Sequence, residues 1–415
     1  MEVLKIATAG SVDDGKSTLI GRLLYDTKSL TDDKLQEIER SSKSKGFDYL
    51  DFSLATDGLV AEREQGITID VAHIYFSTNT RSYIIADTPG HIEYTRNMVT
   101  GASTSTVSII LIDARKGVIE QTYRHFFINQ LLQVKHVIVA INKMDLVDYS
   151  EEVFKEIKAD FDALIARSTF GKQQIHFVPI SALQGDNIVS SSSNTNWYEG
   201  ANVLSLLESI PTKEVSKKSR ARFPVQQVIR PKTSAFHDYR AYAGKLYGSS
   251  LKVGDAITVL PSKTQSTIKG ISFFGDHYEE VEEGASISLQ LEHDINISRG
   301  DMIVKSDELP GIDKQLRAYV AWLDVKSLKP GAKFILQHGV HRVLARVEKI
   351  EKVVSTDFSG SLFGQKQVDL NEIASVSFKL NKAIYYDAYN ENPGNGSFIL
   401  IDELSNHTSG VGFIR

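Results

Sequence analysis

The segment GSVDDGKST, residues 10–18, stands between the apolar run LKIATA and the stretch LIGRLLYDTK, and no other feature constrains the chain as strongly. Gly10, four residues, then Gly15, Lys16 and Ser17 form a phosphate-binding loop. Its chemistry works only if a strand enters and a helix leaves, so that the backbone N–H groups of Ser11, Val12, Asp13 and Asp14 and the helix N-terminus at Thr18 surround an oligophosphate. Lys16 is then expected on the β/γ-phosphates and Ser17 on Mg²⁺. Two carboxylates in such a loop are unusual, because they repel the triphosphate. Asp13 is expected to bind a monovalent cation or brace the loop, and Asp14 to face solvent. The loop selects a phosphate and leaves the base open.

The order strand, loop, helix continues to about residue 212. Buried strands (YIIADT, SIILIDA, HVIVAINK, IHFVPIS) alternate with helical segments, which predicts βαβ units and a mostly parallel sheet. The run SKKSRAR at 216–222 breaks the pattern and reads as a linker carrying a solvated charge cluster. Beyond it come short strands separated by Gly, Asp and Pro, predicting one β-barrel over 222–308 and a second over 311–415. At 415 residues the chain exceeds a single core. With 47 Lys and Arg against 52 Asp and Glu it has no general basic field, which speaks against nucleic acid as the main ligand. The absence of cysteine excludes disulfides, zinc–thiolate sites and thiol nucleophiles. No stretch approaches a membrane span and the N-terminus lacks signal-peptide architecture, so a cytoplasmic chain is expected.

Three further motifs follow the loop in the order a GTPase needs. In ADTPGH (86–91), Asp87 ends a strand and can hold Mg²⁺ through water, while the Gly90 amide can meet the γ-phosphate. His91, directly after it, is the candidate to orient the attacking water. In NKMD (142–145), the Asp145 carboxylate can accept both N–H groups on the edge of guanine, Asn142 can brace the loop and Lys143 can lie along the ring. A site built around such a carboxylate rejects adenine, which lacks that donor pair. In SAL (181–183), Ser181, Ala182 and Leu183 follow an apolar strand, and the Ala182 amide can face the guanine oxygen. Between loop and DTPG, Thr68 of AEREQGITID is placed to close on Mg²⁺ and the γ-phosphate as part of a switch loop. Lys16, Thr68 and His91 are the candidate catalytic residues; Ser17, Thr68 and Asp87 are the candidate metal set. RGD at 299–301 reads as a turn between strands, and WYEG at 197–200 as a packed loop entering a helix.

With these motifs the chain resembles the translational GTPases over its full length, which implies an elongation factor Tu-like architecture: an α/β P-loop GTPase domain followed by two β-barrel domains. Within that superfamily it is similar to the GTPase subunit of bacterial sulfate adenylyltransferase. That branch is marked by GSVDDGKSTLIGRLLYDTK, where elongation factors carry His or Lys in place of Asp14, and by DGLVAEREQGITIDVA, DARKGVIEQT with RHFFINQLL, FPVQQVIRP and ISRGD. The family's nucleotide contacts fall on Lys16, Ser17, Thr68, Asp87, Gly90, Asn142, Lys143, Asp145, Ser181 and Ala182, and its water-positioning histidine on His91. The resemblance implies GTP and Mg²⁺ as cofactors. It also implies a catalytic adenylyltransferase subunit of the ATP-pyrophosphatase type as partner, in a heterodimer or larger assembly, and GTP hydrolysis coupled to making adenylylsulfate and pyrophosphate from ATP and sulfate. VIRP at 228–231 departs from the family by placing Ile229 where Asn is expected. No second GxxxxGK[ST] occurs, so adenylylsulfate kinase activity is not expected. The competing reading is an elongation factor that delivers aminoacyl-tRNA.

Overall fold

The computed structural model describes residues 2–44, 46, 49–55, 72–88, 95–168, 173–212, 219–231, 239–273, 275–354 and 361–415. The chain divides into two compact units, Met1–Lys213 and, beyond it, Glu214–Val354 with Ser361–Arg415. Among the described residues no helix is long and apolar enough to cross a membrane.

In the first unit a six-stranded sheet is built from β1 (Val3–Ala9), β2 (Ala72–Ser77), β3 (Ser82–Asp87), β4 (Val107–Asp113), β5 (His136–Asn142) and β6 (Gln174–Pro179), in the order β2-β3-β1-β4-β5-β6. Only the edge strand β2 runs antiparallel to its neighbour. Every residue of β4 and β5 is buried, the mark of parallel strands covered on both faces, so their sequences are unbroken apolar runs. The helices are α1 (Lys16–Asp26), α2 (Asp32–Ser44), α3 (Thr95–Ala102), α4 (Glu120–Leu131), α5 (Glu151–Arg167) and α6 (Val203–Ser209). Leu19, Ile20 and Leu23 of α1 pack with Leu4, Ile6, Ile109 and Ile138 of the sheet in one core. Consequently β1, β3, β4 and β5 all end on the same side, at Ala9, Asp87, Asp113 and Asn142. That edge is where ligands of open α/β sheets bind.

The second unit carries two closed antiparallel rings. Six strands, Arg222–Ile229, Ala241–Lys245, Ser286–Leu291, Thr264–Phe273, Ala256–Leu260 and Met302–Lys305, pair around to close the first, whose interior holds Phe223, Val225, Ile257, Val259, Leu289 and Ile303. Gly311–Trp322, Ile373–Tyr386, His341–Val354, Lys333–His338, Ser397–Ile401 and Thr408–Ile414 close the second around Val320, Trp322, Leu336, Val376 and Phe378. Closure removes exposed strand edges.

The reading of SKKSRAR as a solvated linker fails at its last residue. Residues 216–218 lie outside the described set, but Arg222 is fully buried and opens the first barrel. Its Nε and Nη2 donate to both carboxylate oxygens of Asp387, at 2.7 and 2.8 Å, and its Nη1 donates to the carbonyls of Glu308 and Ala221. Asn395 Nδ2 gives Asp387 a further bond at 2.7 Å. A lone buried charge is prohibitive, and this arginine is tolerated because a residue 165 positions away neutralises it. RGD is a turn, with Gly300 at φ +102° and its N–H donating to Val225 O. The WYEG rings pack on Phe154, and Trp197 Nε1 and Tyr198 Oη donate to backbone carbonyls.

Candidate nucleotide site

The loop 10–17 bridges β1 and α1 at the carboxyl edge of the sheet. No acidic residue occupies the first turn of α1 and no side chain caps it, so its first N–H groups and its dipole are directed at the loop. Lys16 is 7% exposed, and its Nζ donates to Gly10 O at 2.8 Å and Ser11 O at 3.2 Å. Burial pushes its ammonium pKa down, while the charges of Asp87, Asp14 and Asp13 pull it back. Asp87 is 2% exposed and receives Thr8 Oγ1 at 2.9 Å across the β1–β3 register, in which Thr8 faces Asp87. Thr88 Oγ1 donates to Thr8 O at 2.5 Å.

Of the two carboxylates, Asp14 departs from expectation, being buried rather than facing solvent. Asp13 is the exposed member, with φ +67°, whereas Asp14 is only 3% exposed. Asp14 Oδ2 accepts the Ser11 N–H at 2.6 Å, closing the loop on itself, and Lys116 Nζ stands 3.7 Å from Oδ1. Burial pushes the Asp14 pKa up, opposed by the Ser11 N–H and by the positive charges of Lys16 and Lys116. Asp14 therefore braces the loop, a role the flanking sequence does not reveal because Lys116 and Asn142, which meet it, lie far along the chain.

Asn142 joins three loops. Its Nδ2 donates to Asp14 O at 2.7 Å, and its Oδ1 accepts the Ala182 N–H at 2.9 Å. Gly15, at φ +94°, packs directly against that Nδ2; a Cβ there would collide with it. The second glycine of the loop is thus required both by its backbone and by Asn142. Ser181 is fully buried and its Oγ accepts the Gln184 N–H at 3.1 Å. The Ala182 amide thus serves Asn142 within the chain. Asp145 lies half-buried in the one-turn helix Met144–Val147, past Lys143.

Two groups escaped the motif reading. Arg22 of α1 donates to Leu183 O at 3.2 Å while pairing with Asp26 at 2.9 Å, tying the first helix to the SAL loop. Asp113, at the end of β4, takes Arg115 Nη2 at 2.6 Å and Lys143 Nζ at 3.0 Å, and Lys143 Nζ also donates to Asp13 O. A charged residue ending an otherwise apolar strand was the available signal for Asp113. The structure brings Gly10–Thr18, Asp87, Asn142–Asp145 and Ser181–Leu183 to one edge of the sheet. Thr68, Gly90 and His91 lie outside the described residues.

Comparison with known proteins agrees with this geometry. The Elongation factor Tu GTP binding domain family matches residues 1–216, and the GTP-eEF1A C-terminal domain-like family matches residues 315–415. Sulfate adenylyltransferase subunit 1 of Colwellia psychrerythraea is 46% identical over 416 residues, spanning 100% of this chain and 88% of that protein. The protein of the same name from Bacteroides fragilis is 46% identical over 418 residues, spanning 100% of this chain and 86% of its own length. The bifunctional enzyme CysN/CysC of Mycobacterium tuberculosis is 44% identical over 413 residues, which is 99% of this chain and 67% of that enzyme. A phosphate loop clamped by NKMD and SAL at the edge of a parallel sheet, two barrels following in the chain, and identity carried over the whole length lead to one assignment: the chain belongs to the sulfate adenylyltransferase subunit 1 family, within the translational GTPase superfamily.

Proposed function

We propose that this chain is the GTP-hydrolysing subunit of a sulfate adenylyltransferase. It binds a separate adenylyltransferase subunit and uses GTP hydrolysis to drive formation of adenylylsulfate and pyrophosphate from ATP and sulfate. The observation that carries the reading is the 46% identity, sustained from end to end, to proteins named sulfate adenylyltransferase subunit 1. Sulfate activation is uphill, which gives a second nucleotide a purpose. The coupling is a switch: a partner is biased only by its different affinity for the GTP-bound and GDP-bound conformers.

In this reading residues 1–212 are the GTPase domain, and 222–308 and 311–415 are barrel domains. Lys16, whose ammonium stands at the loop beside the carbonyls of Gly10 and Ser11, supplies the positive charge for the β/γ-phosphates. The hydroxyl of Ser17 and the carboxylate of Asp87 are hard oxygen donors beside the phosphate loop, a set that suits Mg²⁺, with Thr68 completing it. Mg²⁺, when bound, neutralises charge on the β/γ-oxygens. His91 orients the water that attacks the γ-phosphorus, releasing phosphate and GDP. Asp145 accepts from the guanine edge, the Ala182 and Leu183 amides face the guanine oxygen, and the Lys143 stem lies along the ring. The protein works in the cytoplasm.

Phosphate release tests the reading. The isolated chain is expected to bind GTP and hydrolyse it slowly, since GTPases of this design have intrinsic rates as low as about 10⁻⁴ s⁻¹ and gain roughly 10³–10⁵ when a partner completes the site. Adding the co-encoded adenylyltransferase subunit with ATP and sulfate should raise the rate and yield adenylylsulfate. Stimulation by ribosomes and aminoacyl-tRNA, with no response to the adenylyltransferase, would move the assignment to a translation factor.

A further inference from the structure

We infer that Asp113, backed by Arg115, is a positioning residue for nucleotide retention: it holds Lys143 stretched across the phosphate loop. The inference rests on the reading of this edge as a guanine-nucleotide site.

Lys143 occupies the left-handed region at φ +63°, a backbone conformation that a non-glycine residue adopts at a cost and that needs compensation from its surroundings. The compensation is visible at the far end of its side chain. Its Nζ lies 3.0 Å from Asp113 Oδ2 and also donates to Asp13 O, so the amine is anchored at two points on different loops. Parallel pairing of β4 with β5 puts Asp113 opposite Asn142, which delivers the carboxylate beside the next residue, Lys143.

Asp113 in turn is held from the other side. Arg115 Nε donates to Oδ1 at 3.0 Å, Nη2 to Oδ2 at 2.6 Å, and the Arg115 N–H to Oδ1 at 3.0 Å. The Asp113 side chain is fully buried. Burial alone would push its carboxyl up, but the hydrogen bonds from Arg115 and Lys143 outweigh it and hold the group well below the usual carboxylate range. The carboxylate stays charged and immobile. The result is a chain of contacts, Arg115 to Asp113 to Lys143 to Asp13 O, which ties the end of β4 to the loop around the phosphates. Because Lys143 is anchored at its tip, its aliphatic stem is fixed where a base would stack. Nothing in this chain of contacts touches the γ-phosphate side.

Asymmetry of that kind makes the inference testable. Dissociation of a fluorescent GDP and of a fluorescent non-hydrolysable GTP analogue is followed by displacement in the full-length protein. Loss of one charge-assisted hydrogen bond should accelerate dissociation about tenfold. Asp113→Ala is expected to do so equally for both nucleotides, and Asp113→Asn to do nearly as much, since a neutral amide cannot hold two cations. Lys143→Ala should bring a smaller loss in the Asp113→Ala background than it brings alone, the loss that remains being that of its stem and its bond to Asp13 O. Arg115→Ala should have a smaller effect that vanishes in the Asp113→Ala background. If Asp113→Ala does not fold, the near-isosteric Asp113→Asn carries the cycle with Lys143→Ala. Unchanged dissociation in a folded Asp113→Asn protein, or fully additive losses in the double variant, would overturn the positioning role. Failure of the parent protein to retain guanine nucleotide would instead overturn the reading of the site itself.

Discussion

Replacing Asn142 by alanine tests whether the nucleotide site is braced from within. Asn142 is 1% exposed and satisfies two buried backbone groups, Asp14 O at 2.7 Å and the Ala182 N–H at 2.9 Å. Leaving a buried backbone group unsatisfied costs about 1–3 kcal/mol, so deleting both bonds should remove about 2–6 kcal/mol. Both bonds join parts of the chain itself, so part of this loss falls on the fold. In a unit of this size about 2 kcal/mol corresponds to a lowering of the melting temperature by roughly 4–8 °C. The remainder falls on binding, because the 10–17 and 181–183 loops must then be ordered by the ligand. If about 2 kcal/mol is charged to that ordering, affinity drops about thirtyfold. The assay pairs thermal melting of the nucleotide-free protein with GDP affinity from fluorescence titration. A variant that loses affinity while melting at the parent temperature would show that Asn142 acts by touching nucleotide rather than by bracing loops. A variant unchanged in both would refute the reasoning.

Asp145→Asn exchanges an acceptor for a donor opposite the base edge and is expected to move preference from guanine to xanthine nucleotides; competition binding in which GTP still wins as before would contradict the role given to NKMD. Burial pushes the His125 imidazole down to about 3, with the charges of Lys16 and Arg124 adding to the effect. With its folded pKa below the unfolded value, its contribution is complete above about pH 6.5 and shrinks as pH falls toward 3, by about 2 kcal/mol between pH 6.5 and 5. His125→Gln should therefore lose less melting temperature than the parent between pH 7 and 5, and an equal loss would count against it. Asp387→Ala strands the Arg222 guanidinium and should cost about 3–5 kcal/mol in urea unfolding of the barrels. Replacing the pair together by Met and Leu should recover most of that loss, and no recovery would mean that the ion pair is not the source.

Much of this protein is legible in one dimension because its signals are local. The spacing Gly10, Gly15, Lys16, Ser17 specifies a turn between a strand and a helix, and unbroken apolar runs such as SIILID and HVIVAI specify strands buried on both faces. The alternation of strand and helix, followed by strand after strand, was sufficient for a parallel sheet with two barrels. What stayed hidden depends on partners far along the chain. Asp13 and Asp14 are adjacent and chemically identical, yet one is exposed and the other buried, because the backbone turns at Asp13 and Asn142 takes hold of Asp14 O from 128 residues away. Arg222 reads as the tail of a charged linker until Asp387 is found beside it. Asp113 reads as the polar end of a strand until the β4–β5 register sets it against Lys143. The energy of a charge is decided by what stands within a few ångströms of it, whether water or a counter-charge, and that proximity is created only when the chain closes in three dimensions.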